Sequence, residues 1–456
     1  MDSIPRKRSF LVAGLALAAL VLAGAYAALL RPPALRVEGS GGPASASVDS
    51  SAAADFAAAA QRRCGSVDAA RKVPCYEPLL LERLASRGVR PALEALLEIG
   101  RLDREVEREG HVYAHAIGIA AYTTPERVTD VFGQCTEAYQ SGCHHGVIQA
   151  YFAGRRTIAA EDVNALCRPF RERGDTWLLF QCVHGLGHGL TMLHAHHLPR
   201  ALGDCDLLAD DWDRESCYGG AFMENIVHAT APHHEALQRP AADAHAVEEA
   251  HAPATGAGAP AGHGSAGGRP VTEAFAPLDP ADPLYPCSVL DERYLRECYG
   301  MQTSAILHHN GGDIAAAART CDGAPLGWRP ACYQSLGRDI SSYALQDHAE
   351  SIRLCSLGST TYQPWCYEGV VKNFVDLTAR PDDGFAFCRA VPGEENRGKC
   401  YEAMGEQIAA LASDPSEREA LCRASQAEYV EACRYGARVQ LVRPPGLPKP
   451  PGSQGA

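Results

Sequence analysis

The stretch Ile314-AAAARTCDGAPLGWRPACYQ-Ser335 holds one unit of the pattern that decides the fold. Residues 314–320 have an Ala-rich helical composition, and Cys321 ends that helix. A loop with Gly323, Pro325, Gly327 and Pro330 follows, and Cys332 opens the next helix. The same grammar returns at Cys287/Cys298, Cys355/Cys366, Cys388/Cys400 and Cys422/Cys433, whose first members step by 34, 34, 33 and 34 residues around Cys321. A period of 34 is one helix-turn-helix unit, which cannot bury its own apolar face and stacks on its neighbours. We therefore expect an all-α fold: disulfide-stapled helical hairpins forming a two-arm α-solenoid behind an N-terminal membrane segment.

The chain has 18 cysteines, and they fall into nine consecutive pairs. Each pair is expected to staple a helix end to the next helix start, because nearest-neighbour bridges repeat unit after unit whereas bridges between repeats do not. Closing such a loop removes roughly 3 kcal/mol of unfolded-state entropy per bridge. With no C-x-x-C pair, zinc ribbons, thioredoxin-type redox motifs and covalent haem attachment are excluded.

Disulfides call for an oxidising compartment, and the N-terminus agrees. Arg6, Lys7 and Arg8 precede an uncharged run over residues 10–30, which as a helix spans about 30 Å, enough for a bilayer. Basic residues on that side keep the N-terminus in the cytoplasm, so the expectation is a signal-anchor: single-pass in the cell membrane, body outside the cytoplasm. The competing reading is a signal peptide cleaved after Ala25-Tyr26-Ala27, which leaves a secreted or periplasmic body.

At 456 residues the chain is longer than one compact domain. Composition divides it into a membrane segment (1–31), a flexible Ala/Ser/Gly/Pro stalk (32–60), a His-bearing arm (61–240), a disordered linker containing ATGAGAPAGHGSAGGRP (241–283), a C-terminal arm (284–438) and a loose Pro-rich tail (439–456). A net charge of −13 without a concentrated Lys/Arg face argues against nucleic acid as a partner. The expected partners are the membrane, through the N-terminal helix, and a protein or peptide on the solenoid face.

Candidate chemistry gathers in the N-terminal arm. After Cys64/Cys75 the next second-position cysteine is Cys143, two periods on, so a unit without cysteines is expected with its second helix starting near Glu109. Counted from each second-cysteine position, +2 and +6 are His111 and His115, His145 and Gln149, and His184 and His188. Elsewhere +2 is Glu77, Gly219, Gly300, Gln334, Glu368 and Glu402, so the fold itself does not require histidine there. His111/His115 and His184/His188 are i, i+4 pairs, with both imidazoles on one helix face. The intervening residues contain no Glu, which excludes the H-E-x-x-H protease mechanism.

Gly146, Gly185, Gly187 and Gly189 weaken these helices by about 1 kcal/mol each relative to Ala, which implies close backbone approach. Glu224 falls near the +6 row and is the candidate catalytic carboxylate: a metal ligand, a partner orienting a histidine, or a general base. Helices packed about 8–10 Å apart place the outer members of three units roughly 20 Å apart, so all five histidines meet only if the arm curls or holds two ions. The bland alternative is a buried, mutually hydrogen-bonded histidine core; a metal-free polar ligand site is a third reading. His194, His196 and His197 are expected to be solvated, and His233, His234, His245, His251 and His263 to be bystanders by the linker. The tyrosine after each second cysteine (Tyr76, Tyr218, Tyr299, Tyr333, Tyr367, Tyr401) reads as a packing residue.

By period and hairpin grammar, residues 61–437 resemble tetratricopeptide-like and Sel1-like solenoids. The resemblance is architectural: the W-x2-L-G-x2-Y consensus is missing and the disulfides are foreign to the common form. It implies stacked helical hairpins with a concave binding face. Two functions follow. One is an exported, membrane-anchored metal-binding protein, possible as an enzyme, with His111, His115, His145, His184 and His188 holding zinc, copper or iron. The other is an extracytoplasmic interaction scaffold without catalysis.

Overall fold

Nine disulfides join nearest-neighbour cysteines with Cα atoms 5.5 to 5.8 Å apart; eight of them close helical hairpins, while Cys287 ties a turn segment to Glu292–Met301. The computed structural model describes residues 50–230 and 275–449, apart from Gly154, Arg156 and Ala379. Among the described residues there are 22 α-helices, three short 3-10 turns and no strand. In those eight the first cysteine stands within a few residues of the end of a first helix, as in Ile314–Asp322 and His348–Cys355, and the second within the opening turns of the next.

The second helices are α1 (Ala69–Arg87), α2 (Gly110–Ala121), α3 (Ala138–Phe152), α4 (Thr176–Leu193), α5 (Asp211–Thr230), α6 (Glu292–Met301), α7 (Arg329–Tyr343), α8 (Gln363–Thr378), α9 (Glu394–Leu411) and α10 (Val430–Gly436). Each packs on the next. The tyrosines after the second cysteines fill the space between layers, and five of them (Tyr76, Tyr299, Tyr333, Tyr367, Tyr401) are fully buried. Their hydroxyls donate to neighbouring polar groups, Tyr76 to Asp103 (3.0 Å) and Tyr333 to Asp322 (2.9 Å), so burial leaves no orphaned O–H there. Each ring contributes about 2 kcal/mol by area.

Glycines let these helices touch backbone to backbone. A Cβ on Gly187 of α4 would stand 2.0 Å from the Cys217 carbonyl oxygen of α5, and one on Gly220 of α5 would stand 1.9 Å from the His184 carbonyl oxygen. The reciprocal pair recurs as Gly337/Gly369 and Gly405/Gly436. Gly187→Ala therefore forces α4 and α5 apart and is expected to cost about 1–3 kcal/mol. Gly203→Ala, with open space at its Cβ position, serves as the control and should be neutral or stabilising by up to about 1 kcal/mol. Equal urea midpoints for the two variants would show that the helices are not in backbone contact.

The same contact corrects the register of the unit without cysteines. Gly118 of α2 meets the Cys143 carbonyl, and Gly146 of α3 meets that of His115, as Gly187 meets Cys217 and Gly220 meets His184. Tyr113, not Glu109, thus occupies the second-cysteine position. A four-residue error is close to one helical turn and keeps side chains on the same face, so His111 and His115 still face α3.

The two halves are not held apart as separate arms. The described residues belong to one compact unit, in which α8 packs on α3 and α9 on α4. Gln140 Nε2 donates to Asn373 Oδ1 (2.7 Å), and Thr176 Oγ1 donates to the Ala410 carbonyl (2.8 Å). Three boundaries differ from expectation. A helix, Ser50–Cys64, enters the stretch read as stalk. Phe275 packs on the core, and the Pro277 carbonyl accepts from Asn225 Nδ2 (2.9 Å), inside the stretch read as linker. In the tail Leu447 is buried beside Gly398. In each case a few apolar or helix-forming residues outweigh a loop-like composition. The segment 10–30, most of the linker and its histidines lie outside the described residues; no described helix is long and apolar enough to cross a membrane.

Candidate metal centre

α2, α3 and α4 each turn a histidine-bearing face to the next, and glycine contact brings those faces together. The five imidazoles form a strip. Ring centroids are separated by 4.5 Å for His111–His115, 5.5 Å for His115–His145, 4.8 Å for His145–His188, 4.9 Å for His145–His184 and 5.2 Å for His184–His188. Two sets of three offer ligand atoms all within 4.8 Å of one another: His111, His115 and His145, and His145, His184 and His188. His145 belongs to both. The flat-stack separation of roughly 20 Å does not apply, since α4's His188 lies 5.4 Å from α2's His115.

Hydrogen bonds fix which nitrogen faces the strip. His111 Nδ1 donates to the Tyr139 carbonyl (2.7 Å), His115 Nδ1 to Gln149 Oε1 (3.1 Å), and His188 Nδ1 to Glu224 Oε2 (2.9 Å). Gln149 Nε2 donates to the same carboxylate oxygen (2.8 Å), which sets the amide's orientation. His145 is reversed: its Nε2 donates to Gln181 Oε1 (3.1 Å). In a neutral ring, a bond to an accepting oxygen puts the proton on the bonded nitrogen and leaves the lone pair on the other. His145 Nδ1 and His188 Nε2 are buried without a hydrogen-bond partner. An unsatisfied buried polar atom costs about 1–3 kcal/mol, a cost that a bound cation would relieve.

Electrostatics favour neutral rings. Burial, reinforced by neighbouring imidazoles, holds His145 and His184 well below the usual histidine pKa. His144 points the other way, against Phe132 (centroids 4.9 Å), and burial holds it down to about 3.

Glu224 is buried behind His188, whose Nδ1 it pairs with, and belongs to neither set of three. Its second oxygen lies 3.5 Å from His196 Nε2, and the His196 ring stacks on His228 at 3.4 Å. His194 pairs with Asp204 (2.6 Å). Neither His194 nor His196 is a freely solvated side chain, contrary to expectation; both are half-buried, because the turn after α4 folds them onto neighbouring acids.

Three contributions escaped sequence reasoning. Gln149 and Gln181 orient His115 and His145, and only their positions one unit along mark them. Glu297 comes from the C-terminal half: a Cβ on Gly219 would touch both His184 Nδ1 (3.5 Å) and Glu297 Oε2 (3.6 Å). Burial pushes Glu297 up to about 7. Its spacing carries no signal, since α6, which carries it, stacks on α5 from beyond the long stretch read as linker.

The left-handed turn Tyr139-Gln140-Ser141 (φ 53° to 58°) opens α3 and costs roughly 1–2 kcal/mol per residue. The Tyr139 hydroxyl bond to Glu107 (2.8 Å) and the Gln140 bond across the seam hold it, and it aims the Tyr139 carbonyl at His111. A small cleft at this seam is lined by Arg108, His111, Gln140, Ser342 and Gln346.

The structure thus defines a disulfide-rich helical protein with histidine groups suited to a metal ion. No family model, no curated protein and no solved structure matches the chain.

Proposed function

We propose that this chain is an exported metal-binding protein, anchored by residues 10–30, whose helical body holds a transition-metal ion on the imidazoles between α2, α3 and α4. The observation that carries this reading is the pair of nitrogens His145 Nδ1 and His188 Nε2, buried without a hydrogen-bond partner beside further imidazoles. All-imidazole sets suit zinc, copper or iron. Gln149, Gln181 and Glu224 hold the tautomers that ligation needs. Export is supported by nine disulfides with no free cysteine among the described residues.

The test is metal content. The oxidised full-length chain, purified from cells supplied with zinc, copper and iron and then dialysed, should retain at least one equivalent of metal. The triple variant His111→Ala/His145→Ala/His184→Ala, which breaks both sets of three, should carry less than about a tenth of that with its helical circular dichroism intact. A metal-free wild type would sink the reading and favour the interaction scaffold.

A further inference from the structure

We propose that the strip holds one divalent transition-metal ion at two alternative stations, exchanged through His145, rather than a two-metal centre. This rests on the metal-binding reading above. His145 is common to both sets of three, yet it has a single inward lone pair: Nε2 is committed to Gln181, and Nδ1 is the buried atom without a partner. One lone pair binds one ion. Two dications sharing this strip would also lack a bridging carboxylate, because neither set contains one and Glu224 lies behind His188; repulsion between them in a buried site is strong unless an anion from solvent bridges them.

The strip has two ends. His115, His145 and His188 are buried in the middle, whereas His111 and His184 are half-buried. The His111 end opens on the seam cleft with Arg108 and Gln346. The His184 end faces Glu297 beyond Gly219. An ion on His111, His115 and His145 moves to the second station when the His145 Nδ1 bond persists, the His111 and His115 bonds break and the His184 and His188 imidazoles take their places. Three bonds to imidazole nitrogen exist before and after, and no proton or electron is transferred. The arrangement suits a protein that takes up an ion at one end and yields it at the other.

Cobalt(II), whose visible bands report coordination, is the probe for the chelator-stripped, oxidised full-length chain. Wild type should bind one equivalent. The doubles His111→Ala/His115→Ala and His184→Ala/His188→Ala should each still bind one equivalent, with different spectra, and the wild-type spectrum should be a weighted sum of the two. His145→Ala should weaken binding by more than the roughly 10- to 100-fold that losing an outer hydrogen-bond partner costs. Two tightly bound equivalents in wild type would overturn the proposal in favour of a two-metal centre. So would loss of all binding in either double, or a wild-type spectrum equal to one double alone, either of which would leave one station. These arms do not depend on His145→Ala folding. No cobalt uptake by wild type would instead defeat the metal reading itself.

Discussion

Chain that is denatured, reduced and returned to native buffer under reductant should remain unfolded at 25 °C. The bridges close loops of 8 to 15 residues, each contributing about 3 kcal/mol on the loop-entropy account. Nine such contributions, even at half that value, come to roughly 13 kcal/mol, as large as the whole stability of a typical domain, about 5–15 kcal/mol. Several first helices are only 5 to 8 residues long, such as Val128–Phe132 and Pro415–Cys422, too short to hold without tertiary support. Circular dichroism at 222 nm should recover when reductant is replaced by an oxidising glutathione buffer. Full helicity under reductant would show that packing alone suffices.

Acidification should destabilise the metal-free oxidised protein through its buried imidazoles. His144, His145 and His184 have folded pKa values below the ordinary histidine value of 6.5. Below pH 6.5 the unfolded chain therefore binds protons that the folded chain refuses, and stability falls as pH drops, by about 1.4 kcal/mol per pH unit per ring. For His144 the loss continues to about pH 3. Buried carboxyls oppose it: Glu297 at about 7 and Asp376 at about 6 are raised by burial, as are Glu77, Asp213 and Glu402, so the folded state takes up their protons first and gains stability as pH falls through those values. A difference isolates the histidine. Between pH 6.5 and 4.5, wild type should lose about 2.3 kcal/mol more than His144→Phe, measured by urea midpoints. Parallel pH profiles would mean that His144 is not held neutral.

Much of this was legible along the chain. The 34-residue cysteine period implies stacked hairpins, nearest-neighbour bridges follow from repetition, and i, i+4 spacing puts His111/His115 and His184/His188 on single faces. Those are local facts, set by helical geometry and by loops too short to allow other pairings. The glycines signalled close approach without naming the partner.

Convergence of the histidines was not local. It depends on the reciprocal backbone contact of Gly118 and Gly146 between α2 and α3, and on Gly185 and Gly189 of α4, whose missing Cβ atoms leave room for Ile148 and Phe152 of α3. The one-turn register shift at α2 had no sequence signal, because a turn's slip preserves the apolar and histidine faces alike. The docking of α8 and α9 on α3 and α4, with Gln140 bonded to Asn373, joins residues more than a hundred positions apart. Sequence by itself determined the units, their staples and the residue types on each face; the depth of helix contact and the folding of one half onto the other decided which of those faces meet, since both depend on backbone separation, which no spacing in a single chain records.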